Sequence, residues 1–180
     1  MNFVQPIRDK DKLQKMKDYL KSKSERNFVM FILGISTGLR ISDILKLRKE
    51  DLLQSHIVMK ETKTTKAKRI KIPGYIKKDI LPYVKRLDDG DYVIKSRQGG
   101  NKSIDRSTAY RILKEAAEHV NLSEIGTHTL RKTFGYHFYK ETNDIAMLQE
   151  LFNHSDQYIT LRYIGINQDA LDAAMDKVRI

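Results

Sequence analysis

Thr127-His128-Thr129-Leu130-Arg131-Lys132-Thr133-Phe134 and Leu151-Phe152-Asn153-His154-Ser155 are followed, nine residues after His154, by Tyr163. On a helix, His128 and Arg131 at i and i+3 share a face, so imidazole and guanidinium can converge on one ligand. Upstream, Thr37-Gly38-Leu39-Arg40-Ile41-Ser42-Asp43-Ile44 sets an arginine just after a glycine suited to end a helix, where it can point away from the core. Between these segments, residues 60–71 hold five Lys and one Arg against a single Glu. Each motif alone has a plain structural reading. Arg40 could pair with Asp43, the basic run could be a solvated loop, and Tyr163 could be a core aromatic. Their order and spacing carry more than any one of them.

The chain around them has 180 residues, enough for one domain with a substantial core and tight for two. Lys and Arg number 34 against 23 Asp and Glu, a net charge of +11. The first 90 residues carry 22 basic and 11 acidic side chains, and the last 90 carry 12 of each. The whole excess therefore lies in the first half. A field of that sign concentrates polyanions, and double-stranded DNA or RNA is the commonest such partner. Cysteine is absent, which excludes disulfides and thiolate metal sites. No apolar run reaches the ~18 residues that span a bilayer, and the N-terminus has no apolar signal core. The expectation is a cytoplasmic protein with no membrane partner.

The patterning predicts a mostly α-helical α+β domain with a small antiparallel β-sheet inserted among the helices. Asp9 can cap an amphipathic helix to about Lys23, with Leu13, Met16 and Leu20 on one face. Residues 26–37 are nearly continuous apolar sequence, read as a buried helix stopped by Gly38. A short helix follows with Ile41, Ile44, Leu45 and Leu47 inward. His56–Met59 and Arg69–Ile72 read as a hairpin with a basic tip, and Tyr92-Val93-Ile94 as a third strand. Tyr75 to Leu87 is helical, with Pro82 expected to kink or end it. Further helices are expected from Asp105 to about Val120, Thr127 to about Glu141, Asp144 to Phe152, one starting at Ser155, and one from Asn167 or Gln168 to Val178.

The succession Arg, Lys, His-x-x-Arg, His, Tyr resembles the catalytic domain of the tyrosine recombinases, the phage integrase family. The resemblance covers the chain from about Asp9 to its end. It implies that Arg40, Lys63, His128, Arg131, His154 and Tyr163 surround one DNA phosphate, with Tyr163 as nucleophile and Asp43 supporting the site from behind. Lys63 is placed by the hairpin motif Glu-Thr-Lys-Thr, and Lys66 is a rival because hairpin length varies. Two guanidiniums can fork onto the phosphate oxygens and stay charged. His128 can accept the phenol proton, His154 can support the phosphate, and a hairpin lysine can protonate the departing 5′ oxygen. The implied product is a 3′-phosphotyrosyl link, rejoined without ATP. No acidic cluster of metal-ligand spacing lies near these motifs, so no metal or other cofactor is expected.

Most members of that family carry an N-terminal helical clamp, and only about eight residues here precede the first catalytic-domain helix. The chain is thus expected to be a catalytic domain over 1–180 without the core-binding domain, by truncation or by nature. Basic residues of the first helix, the hairpin and Lys77-Lys78 are expected on phosphates, with Arg106, Arg111 and the Gln98–Lys102 loop near bases. Residues 141–180 hold three basic and seven acidic side chains, and Ala170, Leu171, Ala173, Ala174 and Met175 give the last helix an apolar face. It is expected to fold back on its own domain. The resemblance offers the alternative of a tetramer on DNA, with that helix on a neighbouring subunit. The leading functional expectation is a site-specific recombinase or integrase of a phage, mobile element or replicon. A DNA-binding regulator on the same fold and a type IB topoisomerase-like nicking-closing enzyme are the alternatives. His56, His119 and His137 are given no role.

Overall fold

The computed structural model describes residues 4–60, 67–126 and 128–178. Ten helices and one hairpin are present among them. The organising element is α2 (Glu25–Thr37), whose Phe28, Val29, Met30, Phe31, Ile32 and Leu33 are all buried. A helix apolar on every side must be surrounded. It is, by α1 (Lys10–Lys23), α3 (Ile41–Ile44), α5 (Gly74–Val84) and α7 (Thr129–Thr142). Asp9 caps α1, its carboxylate accepting from the amides of Asp11 and Lys12. The short α4 (Lys49–Leu53) leads into strands β1 (His56–Lys60) and β2 (Ala67–Lys71), paired antiparallel with His56 opposite Lys71. α6 (Arg106–His119) packs on α1, and Asp105 caps it through the Thr108 amide.

The expected third strand is absent from the described residues. Tyr92 and Lys95 make isolated bridges to Arg48 and Ser103, with Val93 and Ile94 buried in the turn between them. Their β-prone side chains fill the core and leave no ladder to extend. Pro82 sits within α5, whose last helical residue is Val84. Proline has no N–H to give the Lys78 carbonyl, and the helix ends two residues later. Thr127 lies outside the described residues, and the N-cap position of α7 falls to His128. α9 (Gln157–Ile164) starts two residues after Ser155, because the Asp156 carboxylate accepts from the Tyr158 and Ile159 amides.

A second, smaller core forms where α8 (Ile145–Phe152) meets α9, from Leu148, Phe152 and Ile164. Phe152 touches Phe134, His154 and Tyr163 with ring centroids 6.1, 5.4 and 5.7 Å away. Phe152→Ala should therefore cost about 3–5 kcal/mol of stability, read as a lowered urea midpoint. α10 (Ile166–Met175) contacts α9 but buries none of its residues, and Leu171 and Met175 are 60% and 71% exposed. The expectation that its apolar face folds back on this domain is therefore corrected. No helix among the described residues is long and apolar enough to cross a membrane.

Candidate active site

Gly38 does three things at once. With φ 64° it ends α2 in the left-handed region, which costs glycine little. It turns the chain so that Arg40 stands at the N-cap of α3, whose Asp43 is fully buried. Its carbonyl accepts from Arg131 Nη1 at 2.6 Å.

Arg131 is among the most buried side chains of the molecule, only 2% exposed. A buried guanidinium needs partners for its N–H groups. Nη2 donates to the Phe152 carbonyl at 3.0 Å, and the guanidinium lies 4.1 Å over the Phe152 ring. The Phe152 carbonyl belongs to the last turn of α8, where orphan carbonyls favour cations. Lys68 Nζ donates to the neighbouring Leu151 carbonyl from β2. The end of α8 thus collects two cations, one from the hairpin and one from α7.

After α8, Asn153 adopts φ 51° and lifts His154 out of the helix. The His154 amide bonds the Gln149 carbonyl at 3.1 Å, and its Nδ1 meets the buried Thr160 hydroxyl at 3.1 Å. Tyr163 comes up from α9 beside it, the two rings edge to face at 5.2 Å. His128 Nδ1 lies 3.2 Å from the Tyr163 hydroxyl. With the proton on Nε2, Nδ1 accepts from the phenol. The charges of Arg131 and Arg40 act on that phenol. The tyrosine thus donates to the histidine, with the arginine's charge acting on both.

Electrostatics bias each member. Burial pushes the Tyr163 phenol above its ordinary value, opposed by the charges of Arg131 and Arg40. Lost hydration lowers the His128 imidazole below its ordinary value, and Arg131, Lys132, Arg106 and Arg40 lower it further. The pair is therefore a neutral phenol beside a neutral imidazole near pH 7.

Five of the six sequence-derived residues have described positions, and four of these (His128, Arg131, His154 and Tyr163) meet in direct contact or through one ring. Arg40 joins them electrostatically. Lys63 and its rival Lys66 lie outside the described residues. Sequence reasoning missed Thr160, Lys68 and Lys132, whose Nζ sits 5.2 Å over the Tyr163 ring while bonding the Val4 carbonyl. It also missed that Arg106 acts electrostatically on His128. Lys77, expected on DNA, donates instead to the Leu53 and Gln54 carbonyls at the end of α4. Of the histidines given no role, His119 stacks on Tyr19 and His137 donates to the Ile7 carbonyl.

Comparison with known proteins decides the family. The model of the phage integrase family matches residues 8–169. The chain belongs to the phage integrase family. A Bacillus subtilis relative named "Probable integrase/recombinase YoeC" is 50% identical over 175 residues, covering 97% of this chain and 96% of that one. Among solved structures, XerA recombinase superposes with a TM-score of 0.77 at 22% identity, over 98% of this chain and 65% of that one. The XerH site-specific recombinase, bound to a palindromic difH substrate after cleavage, gives 0.75 at 16% identity, over 97% and 53%. This integrase-family chain therefore spans nearly all of YoeC and about half to two-thirds of the Xer proteins. Its fold is that of a tyrosine recombinase catalytic domain.

Proposed function

We propose that this chain is a site-specific DNA recombinase that cuts and rejoins strands through Tyr163. The observation that carries the reading is the contact of the Tyr163 hydroxyl with His128 Nδ1, within the field of Arg131 and Arg40. Family membership supports the reaction class, and the DNA-bound state of the structural relative XerH supports the substrate.

In the step proposed, His128 Nδ1 takes the phenol proton as the Tyr163 oxygen bonds to phosphorus. The bond from phosphorus to the 5′ oxygen breaks, and that oxygen leaves with a proton from the hairpin lysine, assigned to Lys63. Arg40 and Arg131 hold the charge that grows on the non-bridging oxygens. Each such donor typically contributes about 3–4 kcal/mol of barrier lowering. His154, steadied by Thr160 and edge to face with the tyrosine ring, supports the phosphate. The new 3′-phosphotyrosyl bond conserves the phosphodiester, so a 5′ hydroxyl can reverse the step on another strand. Asp43, fully buried in the first turn of the helix that starts at Arg40, is assigned a supporting role.

The exposed apolar face of α10 supports assembly on DNA, in which that helix would cover a neighbouring subunit. The described residues of its own domain leave this surface uncovered.

The pH dependence follows from His128. Its lowered pKa keeps the base form populated down to more acidic pH than an ordinary imidazole. Cleavage by free protein at subsaturating concentration should fall with acid only below about pH 6.5, the unperturbed value. Single-turnover rates from pH 5 to 8 check this, and an acid limb centred above pH 7 would contradict it. The reading as a whole is tested by incubating the protein with nicked duplexes from its gene neighbourhood and denaturing. A DNA-shifted protein band is expected. Salt-sensitive binding with no band would favour the regulator on this fold, and relaxation of supercoiled plasmid without strand exchange would favour the nicking-closing enzyme.

A further inference from the structure

The segment before α1 is tied to both halves of the active site. The Val4 carbonyl accepts from Lys132 Nζ at 2.8 Å, and the Ile7 amide donates to the Thr133 hydroxyl at 2.9 Å. These are the two residues that follow Arg131. The segment ends in Arg8, which reaches the other side. Its Nη2 and Nε donate to the Asp169 carboxylate at 2.6 and 3.1 Å, a forked pair from the N-terminal segment to α10. Nη2 also lies 3.5 Å from the Gly165 carbonyl, and Gln5 Oε1 accepts from the same guanidinium at 3.3 Å. The guanidinium rests 5.4 Å over the Tyr136 ring of α7.

Gly165 is the corner where α9 turns into α10, two residues after Tyr163, with φ 83°. A Cβ there would stand 2.8 Å from Arg8 Nη2, so the guanidinium is seated on the corner itself. α10 buries no residue, although Ile166 leans on the smaller core. An isolated half-exposed ion pair contributes little. This one is forked, carries a main-chain carbonyl contact and is stacked on a ring, which fixes a geometry.

We propose that Arg8 is a positioning residue for Tyr163. By clasping Asp169 and Gly165 it holds the end of α9 against α7, and so keeps the phenol at His128 and Arg131. The inference rests on the reading of Tyr163 as nucleophile. A nucleophile displaced by about 1 Å can lose about 100-fold in rate, so a local clasp can matter more to chemistry than to stability.

The test uses the full chain and a nicked duplex carrying the junction recovered from adducts of the unsubstituted protein. Arg8→Ala and Asp169→Asn are each expected to slow adduct formation about tenfold or more. The double substitution should do no more than either single one, since both remove the same clasp. Asp169→Asn lies on a helix with no buried residue, so the fold survives it. The deciding arm uses hydrogen peroxide as the nucleophile in a Tyr163→Phe background. The hydroperoxide anion bonds to phosphorus as the bond to the 5′ oxygen breaks, and that oxygen leaves with a proton. A clasp that acts only through Tyr163 leaves this cleavage unchanged within about twofold when Asp169→Asn is added. An equal fall in both assays would overturn the proposal, because it would put the clasp in the DNA grip or the fold. Undiminished adduct formation by both single variants would overturn it too. A last arm needs no cleavage. In the free protein, Asp169→Asn should speed amide exchange across residues 157–175 and leave α2 unchanged, and an unaltered α9 would overturn the clasp. A clasp seen in exchange with no adduct from the unsubstituted protein would count against the nucleophile instead.

Discussion

Tyr163→Phe is expected to abolish covalent attachment to DNA completely while leaving affinity for duplex DNA within about twofold. The effect is total because phenylalanine has no oxygen to bond to phosphorus, and no base can supply one. Binding is spared because the lost hydroxyl contacts His128 within the protein. Stability should change by only about 1 kcal/mol, the usual net worth of a hydrogen bond, since the ring keeps its packing against Phe152 and His154. A gel-shift titration beside a denaturing adduct gel separates the two effects. An adduct from the Phe variant would remove Tyr163 from the role of nucleophile.

Arg131→Lys should cut single-turnover cleavage by about 100- to 1000-fold, the loss typical of a transition-state donor. Charge is conserved in this change, so its effect isolates geometry. The guanidinium reaches the Gly38 and Phe152 carbonyls at once and places its charge on Tyr163. An ammonium on a flexible stem cannot hold those directions together, nor can it lie flat on the Phe152 ring as this guanidinium does at 4.1 Å. The side chain is almost wholly buried, so an unsatisfied carbonyl in the variant also costs about 1–3 kcal/mol of stability. Thermal unfolding monitored alongside cleavage checks both. A lysine variant that cleaves within tenfold of the unsubstituted protein would show that charge alone suffices.

Much of the fold was legible because its signals are local. The apolar run of α2 and the glycine behind it define a buried helix and its end. Asp9 and Asp105 mark helix starts by the hydrogen bonds they can make. α4 was not legible, because its starting residue Arg48 is no ordinary cap and its ties are spread along the chain. Lys49 pairs with the distant Asp89, and the Glu50 carboxylate accepts from the Gly90 amide. The Tyr92-Val93-Ile94 run was misread because β propensity also describes residues that simply fill a core. Ser155 and Asp156 are both competent caps, and only geometry selects between them.

The site divides in the same way. Arg40, His128, Arg131, His154 and Tyr163 stood out by order and spacing, through their resemblance to a family. Their supports did not. Arg131 is held by two main-chain carbonyls, and any residue type can supply a carbonyl. Thr160 carries no sequence mark that separates it from other helix threonines. Arg8 is remote from the site in sequence, and its pairing with Asp169 appears only once the chain is folded. Lys132 reads as one more surface cation until Tyr163 is seen beneath it.

The central claim is that Tyr163 forms the bond to DNA, and mapping that bond tests it most directly. The protein is trapped on a nicked duplex, digested with protease and nuclease, and analysed by tandem mass spectrometry. The account predicts one modified peptide, carrying a 3′-linked nucleotide on the Tyr163 oxygen. A nucleotide on any other side chain, or a trapped complex with Tyr163 unmodified, would contradict it.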